Sequence, residues 1–358
     1  TASSSSITAN GTSTSIITVQ LKDAQGNSLT TNDDTVSIRV DSGTGNVGST
    51  LPAGNGTYTT TFTSSTTAGT STIRATLGGT DITATQNIAL TPGAATKLGI
   101  LTEPPNTTSS GVVLATQPRI AVQDAFGNTV TSDSGRSVVI GVVGSGGSVG
   151  GTTTQTSSSG IVTFSGISLA GLTSNGYRLS FTTSGLTGVD SQIINLTPGA
   201  ASTATSVVSA STTSIVANGS STSTITVTLK DAQGNLLVAT GGTVLVSKVS
   251  GNGSLTTTTD NGNGTYTATF TSPTAVGTTV IQATVGGSTI TDTESITLVH
   301  GDATQIKITQ TPITGANAST FTRQPKITLF DANDNVVTSN SSGVVEVALF
   351  SGDNGALS

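Results

Sequence analysis

Apolar residues in this chain fall on alternate positions, in short runs separated by Gly, Asn, Asp and Pro. Ile17, Val19 and Leu21 alternate with Thr18, Gln20 and Lys22. After a polar stretch, Val36, Ile38 and Val40 alternate with Ser37 and Arg39. Successive side chains of a strand point to opposite faces, so each run predicts a β-strand with one buried face. In residues 264–270 the same rule places Tyr266, Ala268 and Phe270 on the inner face and Thr265, Thr267 and Thr269 on the outer. Turn signals recur at the spacing of a seven-stranded sandwich, and nowhere does a 3.6-residue period last beyond a turn or two.

The pattern repeats. Asn10-Gly11 returns as Asn218-Gly219, the seven residues from Leu21 to Asn27 return as Leu229 to Asn235, and Asn55-Gly56-Thr57-Tyr58 returns as Asn263 to Tyr266, each pair 208 residues apart. A diverged unit lies midway. Its turn, Asp124-Ala125-Phe126-Gly127-Asn128, has its own partner in Asp331-Ala332-Asn333-Asp334-Asn335. The order is therefore A-B-A-B. The junctions are Leu90-Thr91-Pro92-Gly93-Ala94-Ala95, Leu196-Thr197-Pro198-Gly199-Ala200-Ala201 and the variant Leu298-Val299-His300-Gly301-Asp302-Ala303. The expected division is 1–94 (type A), 95–200 (type B), 201–302 (type A) and 303–358, the N-terminal part of a further type B unit. The fourth unit is expected to supply a strand over Val344 to Leu349 and to lack the counterparts of Ile161 to Phe164, Tyr177 to Phe181 and Ile193 to Leu196. The expected fold class is all-β: tandem immunoglobulin-like β-sandwiches whose short, Pro-bearing linkers set them out as a rod.

Composition narrows the function. Charged residues are 8% of the 358 and hydrophobic residues 33%, against roughly 25% and 45–50% in ordinary soluble domains. The difference is taken up by Ser, Thr, Asn and Gly, yet the β-branched runs argue for folded strands over disorder. A net charge of −6 with Lys and Arg scattered singly gives no basic surface for nucleic acid. No apolar run reaches the roughly 18 residues of a membrane helix, so no membrane insertion is expected within this segment. The absence of Cys removes disulfides, zinc-thiolate sites and thiol catalysis. Few Lys and Arg leave few sites for trypsin-like proteases, which suits an exposed extracellular fibre. A chain starting at Thr1 and stopping inside the fourth unit is expected to be a piece of a longer protein that continues past Ser358 with more of the same repeat.

The A units resemble bacterial Ig-like domains of the invasin and intimin type. The likeness is carried by Ala217-Asn218-Gly219, the strand Ile225 to Leu229, the Asp231 to Asn235 turn and the closing Ile281 to Gly287. The B units look like a related repeat of very long bacterial surface proteins, through Thr116-Gln117-Pro118, the Asp124 to Asn128 turn and Gly176-Tyr177-Arg178-Leu179. Asn261 to Tyr266 is also similar to filamin repeats. The resemblance implies Ig-like spacers on a bacterial cell surface that hold an adhesive tip away from the cell. Any host or surface receptor would be met by regions outside this segment.

No constellation of catalytic residues, cofactor ligands or metal ligands is expected. Asp331-Ala332-Asn333-Asp334-Asn335 begins like a calcium loop, but such a loop needs Gly next and a bidentate Glu at position twelve, where this chain has Val336 and Ser342. The four Asp-to-Asn segments read instead as tight turns between strands. His300, the one histidine, reads as a linker substitution at an exposed seam without triad partners. Asp33-Asp34 and Asp302 are weak candidates for a junction cation, because neither cluster recurs. Lys22 and Lys230 would have to be buried beside Asn and an acid to form isopeptide links, and strand parity turns both outward. Sequons such as Asn106-Thr107-Thr108 and Asn195-Leu196-Thr197 arise easily by chance in so Thr-rich a chain. The outward Thr ladders, on short twisted sheets, read as solubilising strand formers, not an ice- or sugar-binding array.

These readings favour a non-catalytic spacer in a surface adhesin, including one used for gliding or attachment. A subunit of an extracellular filament or surface layer, with lateral self-association between repeats, stands as the alternative. An accessory module of a secreted enzyme is a third, and it would place a catalytic domain beside the repeats.

Overall fold

The computed structural model describes residues 1–313, 320–339, 344–346 and 348. The strand expected over Val344 to Leu349 extends outside them, as do Ser342 and the end of the chain. Among the described residues every regular element is a β-strand, and no helix is long and apolar enough to cross a membrane. The chain divides into two compact units, residues 1–197 and 198–358.

In the first unit, the type A segment folds as two sheets face to face. One sheet orders Ser6–Thr8, Thr80–Thr91, Gly69–Leu77 and Val36–Ser42. The other orders Thr14–Gln20, Thr57–Thr63 and Asn46–Val47. Between them lies a cluster that includes Ile17, Leu21, Val36, Ile38, Tyr58, Phe62, Ile73 and Ile88, so the alternation in the sequence is the alternation of the two faces. Gly45, at φ +109°, is what the fold allows beside Phe62. A Cβ there would stand 2.5 Å from the ring, so only glycine fits both the space and the backbone.

The following type B segment has its own cluster, in which Phe164 and Phe181 pack with ring centroids 5.7 Å apart. Its larger sheet runs Thr107–Ser109, Ile194–Thr197, Gly176–Thr182, Ser137–Val143 and Thr154–Thr156. The facing sheet is Ile161–Thr163, Arg119–Gln123 and Lys97–Thr102.

In the second unit, the type A copy repeats the first with one addition. Val207–Ala210 precedes Thr222–Thr228, Thr265–Thr271 and Ser254–Leu255 in one sheet, and Ser214–Val216, Glu294–Val299, Gly277–Val285 and Val244–Ser250 form the other. Phe270 is fully buried. After it, Gln305–Gln310 pairs with Lys326–Phe330.

The three sandwiches share one topological feature. A short early strand runs parallel to the last, with Ile7 opposite Leu90, Thr108 opposite Leu196 and Ile215 opposite Leu298. The early strand and the last therefore run in the same direction within one sheet, and the last strand feeds directly into the linker.

Candidate functional site

The feature shared by the three linkers is the Asp-to-Asn turn that follows each of them. In the type B copy of the first unit, Asp124 Oδ1 accepts hydrogen bonds from the backbone N–H of Phe126 (3.0 Å) and Asn128 (2.9 Å). Its Oδ2 accepts from Asn128 Nδ2 at 2.9 Å. Gly127 closes the turn at φ +89°. Asx side chains stabilise such turns by copying a backbone bond, and glycine supplies the positive φ without cost. In the last copy Asp334 takes the glycine position at φ 63°, a region that Asp and Asn enter more easily than other side chains. The expectation of a tight turn between strands therefore matches the geometry.

What periodicity did not reveal is that the turn grips the preceding linker. The backbone N–H of Gly93 donates to Asp124 Oδ2, that of Gly199 to Asp231 Oδ2 and that of Gly301 to Asp331 Oδ2, each at 2.9 Å. All three carboxylates are only 1% exposed. The paired Asn extends the grip to the sandwich before it. Asn128 Oδ1 accepts from Ala68 N and its Nδ2 donates to Thr66 O, both at 2.8 Å. In the second unit, Asn335 Oδ1 accepts from Val276 N at 3.1 Å and its Nδ2 donates to Thr274 O at 2.9 Å. Asn128 and Asn335 thus hold the loop between the same two strands in each type A copy.

Electrostatics follow from this burial and bonding. Desolvation alone would raise the pKa of Asp124. Donation from the Asn128 side chain and from the amides of Gly93, Asn128 and Phe126 outweighs it, and the carboxyl is held below its ordinary range. The same balance lowers Asp231 and, furthest, Asp331. A neutral carboxyl could not accept from so many donors at once. The clasp therefore needs the anion.

His300, expected at an exposed seam, is half-buried. Its Nδ1 lies 2.8 Å from Gly301 O, so that nitrogen carries the proton. Nε2 then accepts from Thr338 N at 3.3 Å and lies 3.2 Å from the Ser339 hydroxyl. Where the other junctions have Pro, this one is tied by side-chain hydrogen bonds.

The remaining candidates are not brought together. Asp33, Asp34 and Asp302 are exposed, and among the described residues no group of three or more His, Asp or Glu side chains could hold a metal ion. Lys22 is exposed and Lys230 half-buried, each next to a buried leucine. Asn106 and Asn195 are exposed.

Comparison with known proteins comes from two directions. A family model described as invasin domain 3 matches residues 1–93 and 202–301, the two type A segments. Among solved structures, FdeC, an Escherichia coli adhesin, is similar at 21% identity over 83% of this chain and 94% of that one, with a TM-score of 0.46. Invasin, a bacterial integrin-binding protein, is similar at 19% identity over 90% of this chain and 66% of that one, with a TM-score of 0.33. InvD of Yersinia pseudotuberculosis is similar at 19% over 94% and 70%, with a TM-score of 0.28. No curated protein sequence matches the chain.

Proposed function

The chain belongs to the invasin domain 3 family, and on that premise we propose that it is a non-catalytic spacer in the stalk of a large bacterial cell-surface adhesin. The observation that carries this reading is the recurrence of one clasp at all three linkers, with a buried Asp on a linker Gly amide at 2.9 Å each time. A flexible string of modules has no use for a linker amide tied down in a buried bond. A spacer does, because its reach depends on each linker being fixed to the module it leads into. The proposed division is 1–94, 95–200, 201–302 and 303–358, with alternating types, and it is supported by the separate apolar clusters of the first three segments. The proposed location is extracellular, with receptor contact made elsewhere in the parent protein.

The test is small-angle scattering on the full chain and on Asp124→Ala. The expected result is a monomeric, elongated particle whose maximum dimension shortens and whose flexibility rises in the variant. A compact particle, or a variant with an unchanged profile, overturns the spacer reading. Concentration-dependent polymerisation favours the filament-subunit alternative instead.

A further inference from the structure

In each of the three sandwiches the early strand lies at the edge of its sheet, and its one neighbour there is the last strand, which runs parallel to it. The pairs are closed at both ends by equivalent bonds. Ala89 N donates to Ser5 O and Ala9 N to Thr91 O at 2.8 Å, Asn195 N to Asn106 O and Ser110 N to Thr197 O at 2.9 Å, and Thr297 N to Thr213 O and Ala217 N to Val299 O at 2.8 Å. In the second type A sandwich Ile215 and Leu298 stand opposite each other and are 7% and 4% exposed. Sliding one strand along the other would therefore also drag close-packed apolar side chains out of the core.

Direction decides how such a pair meets tension. The chain enters the early strand at its first residue and leaves the last strand at its final one, and in a parallel pair those two points lie at opposite ends. A pull on the two linkers therefore acts along the strands and loads all the paired residues at once. Had the strands been antiparallel, the two points would share one end, and the ladder would open one pair at a time. Ahead of the parallel pair, Lys97–Thr102 and Val207–Ala210 lie in the facing sheet of their sandwiches. Their detachment lengthens the chain only by the residues up to the pair, because everything between the early strand and the last stays closed behind it. On its other side the last strand is paired again, as Glu294–Val299 is to Gly277–Val285, so it is the edge strand that has to be torn away.

We infer that the parallel pair is a shear lock, and that each sandwich carries tension along the chain without unravelling until this pair fails. The load it resists is a pull transmitted through the linkers, as in a chain fixed at one end and held at the other. This goes beyond the spacer reading and does not rest on it. A spacer needs only to keep its length, whereas the lock opposes extension and belongs to each sandwich whatever its linkers do.

The test uses the full chain, which contains no Cys, so two introduced thiols are unique handles for single-molecule pulling. Thr213, Ser295 and Val299 are exposed. Thr213→Cys with Val299→Cys takes hold of opposite ends of one parallel pair and loads it as the linkers do. Thr213→Cys with Ser295→Cys takes hold of the same end and peels it. Both variants keep every core residue, so the difference between them reads the direction of pull and not stability. The rupture force is expected to be about threefold higher in the first geometry, one share for each of the three paired residues loaded together. That rupture is expected to release the whole chain between the handles in one step, on the order of 300 Å. Equal forces in the two geometries overturn the proposal, and so does a rupture in the first geometry that releases only part of that length.

Discussion

Leu21 to Asn27 and Leu229 to Asn235 are the same seven residues in two surroundings. Their local geometry is the same. Asp23 Oδ1 accepts from Gln25 N at 3.0 Å and Asn27 N at 2.8 Å, and Asp231 Oδ1 from Gln233 N at 3.0 Å and Asn235 N at 2.9 Å. Yet Asp23 and Asn27 are exposed, whereas Asp231 is 1% and Asn235 6% exposed. The difference is the linker. Gly199 donates to Asp231, and the position that the 208-residue period would pair with Gly199 lies ahead of Thr1, so the first turn is seen with its local bonds alone. At Asp23 the lowering of the pKa comes first from the Asn27 side chain, whereas at Asp231 the bonds must first overcome burial. The comparison separates what the turn does for itself from what the linker adds to it: seven residues make the turn, and the linker turns it into a clasp.

The cores of the two copies are the control for this comparison and give the largest expected effect. Phe62 and Phe270 are both fully buried. Phe62→Ala and Phe270→Ala should each cost about 3–5 kcal/mol, read as the loss of one calorimetric transition while the other sandwiches still melt near their own temperatures. A single cooperative collapse of the whole chain would show that the sandwiches are not independent folding units.

Next in size is the clasp. Asp231→Ala leaves the Gly199, Gln233 and Asn235 amides without their acceptor and should cost about 1–3 kcal/mol. Asp23→Ala, which removes only the local half, should have a clearly smaller effect on its own transition. Equal losses in the two melting curves would break the distinction drawn between the turns.

Acid should reveal the same asymmetry more gently. A carboxyl whose folded pKa lies below its unfolded value stabilises fully above the unfolded value and loses that contribution as pH falls through the folded one. Melting temperature should therefore stay flat from neutral pH down to about 4, near the ordinary Asp value, and decline below it. Asp231→Asn should flatten the acid limb of its sandwich more than Asp23→Asn flattens that of the first. A melting temperature that already falls between pH 7 and 5 would assign the dependence to other groups.

The smallest expected effect is none at all. The three buried carboxylates are satisfied by N–H donors, so excess EDTA should leave every transition where it was. A fall of several degrees would mean that a cation shares the junctions with those donors.

The strands were legible in the sequence because their signal is local. Ile17, Val19 and Leu21, or Tyr266, Ala268 and Phe270, declare a face through a period of two that needs no knowledge of the partner sheet. The turn at Asp231 to Asn235 was legible for the same reason, since Asp, Gly and Asn satisfy each other within five residues. The clasp was not. Its donor is the backbone amide of a glycine 31, 32 or 30 residues ahead of the Asp, and an amide common to nearly every residue leaves no mark on composition or pattern. The near-constant spacing from linker Gly to turn Asp was the one available hint. Nor could sequence place Asn128 on a loop about sixty residues earlier, or show that His300 is tied by Thr338 and Ser339. Alternation and turn chemistry determined which residues face inward and where the chain reverses. Only the packed structure decided which polar groups meet across a junction, because those meetings depend on where two separately folded sheets bring their ends.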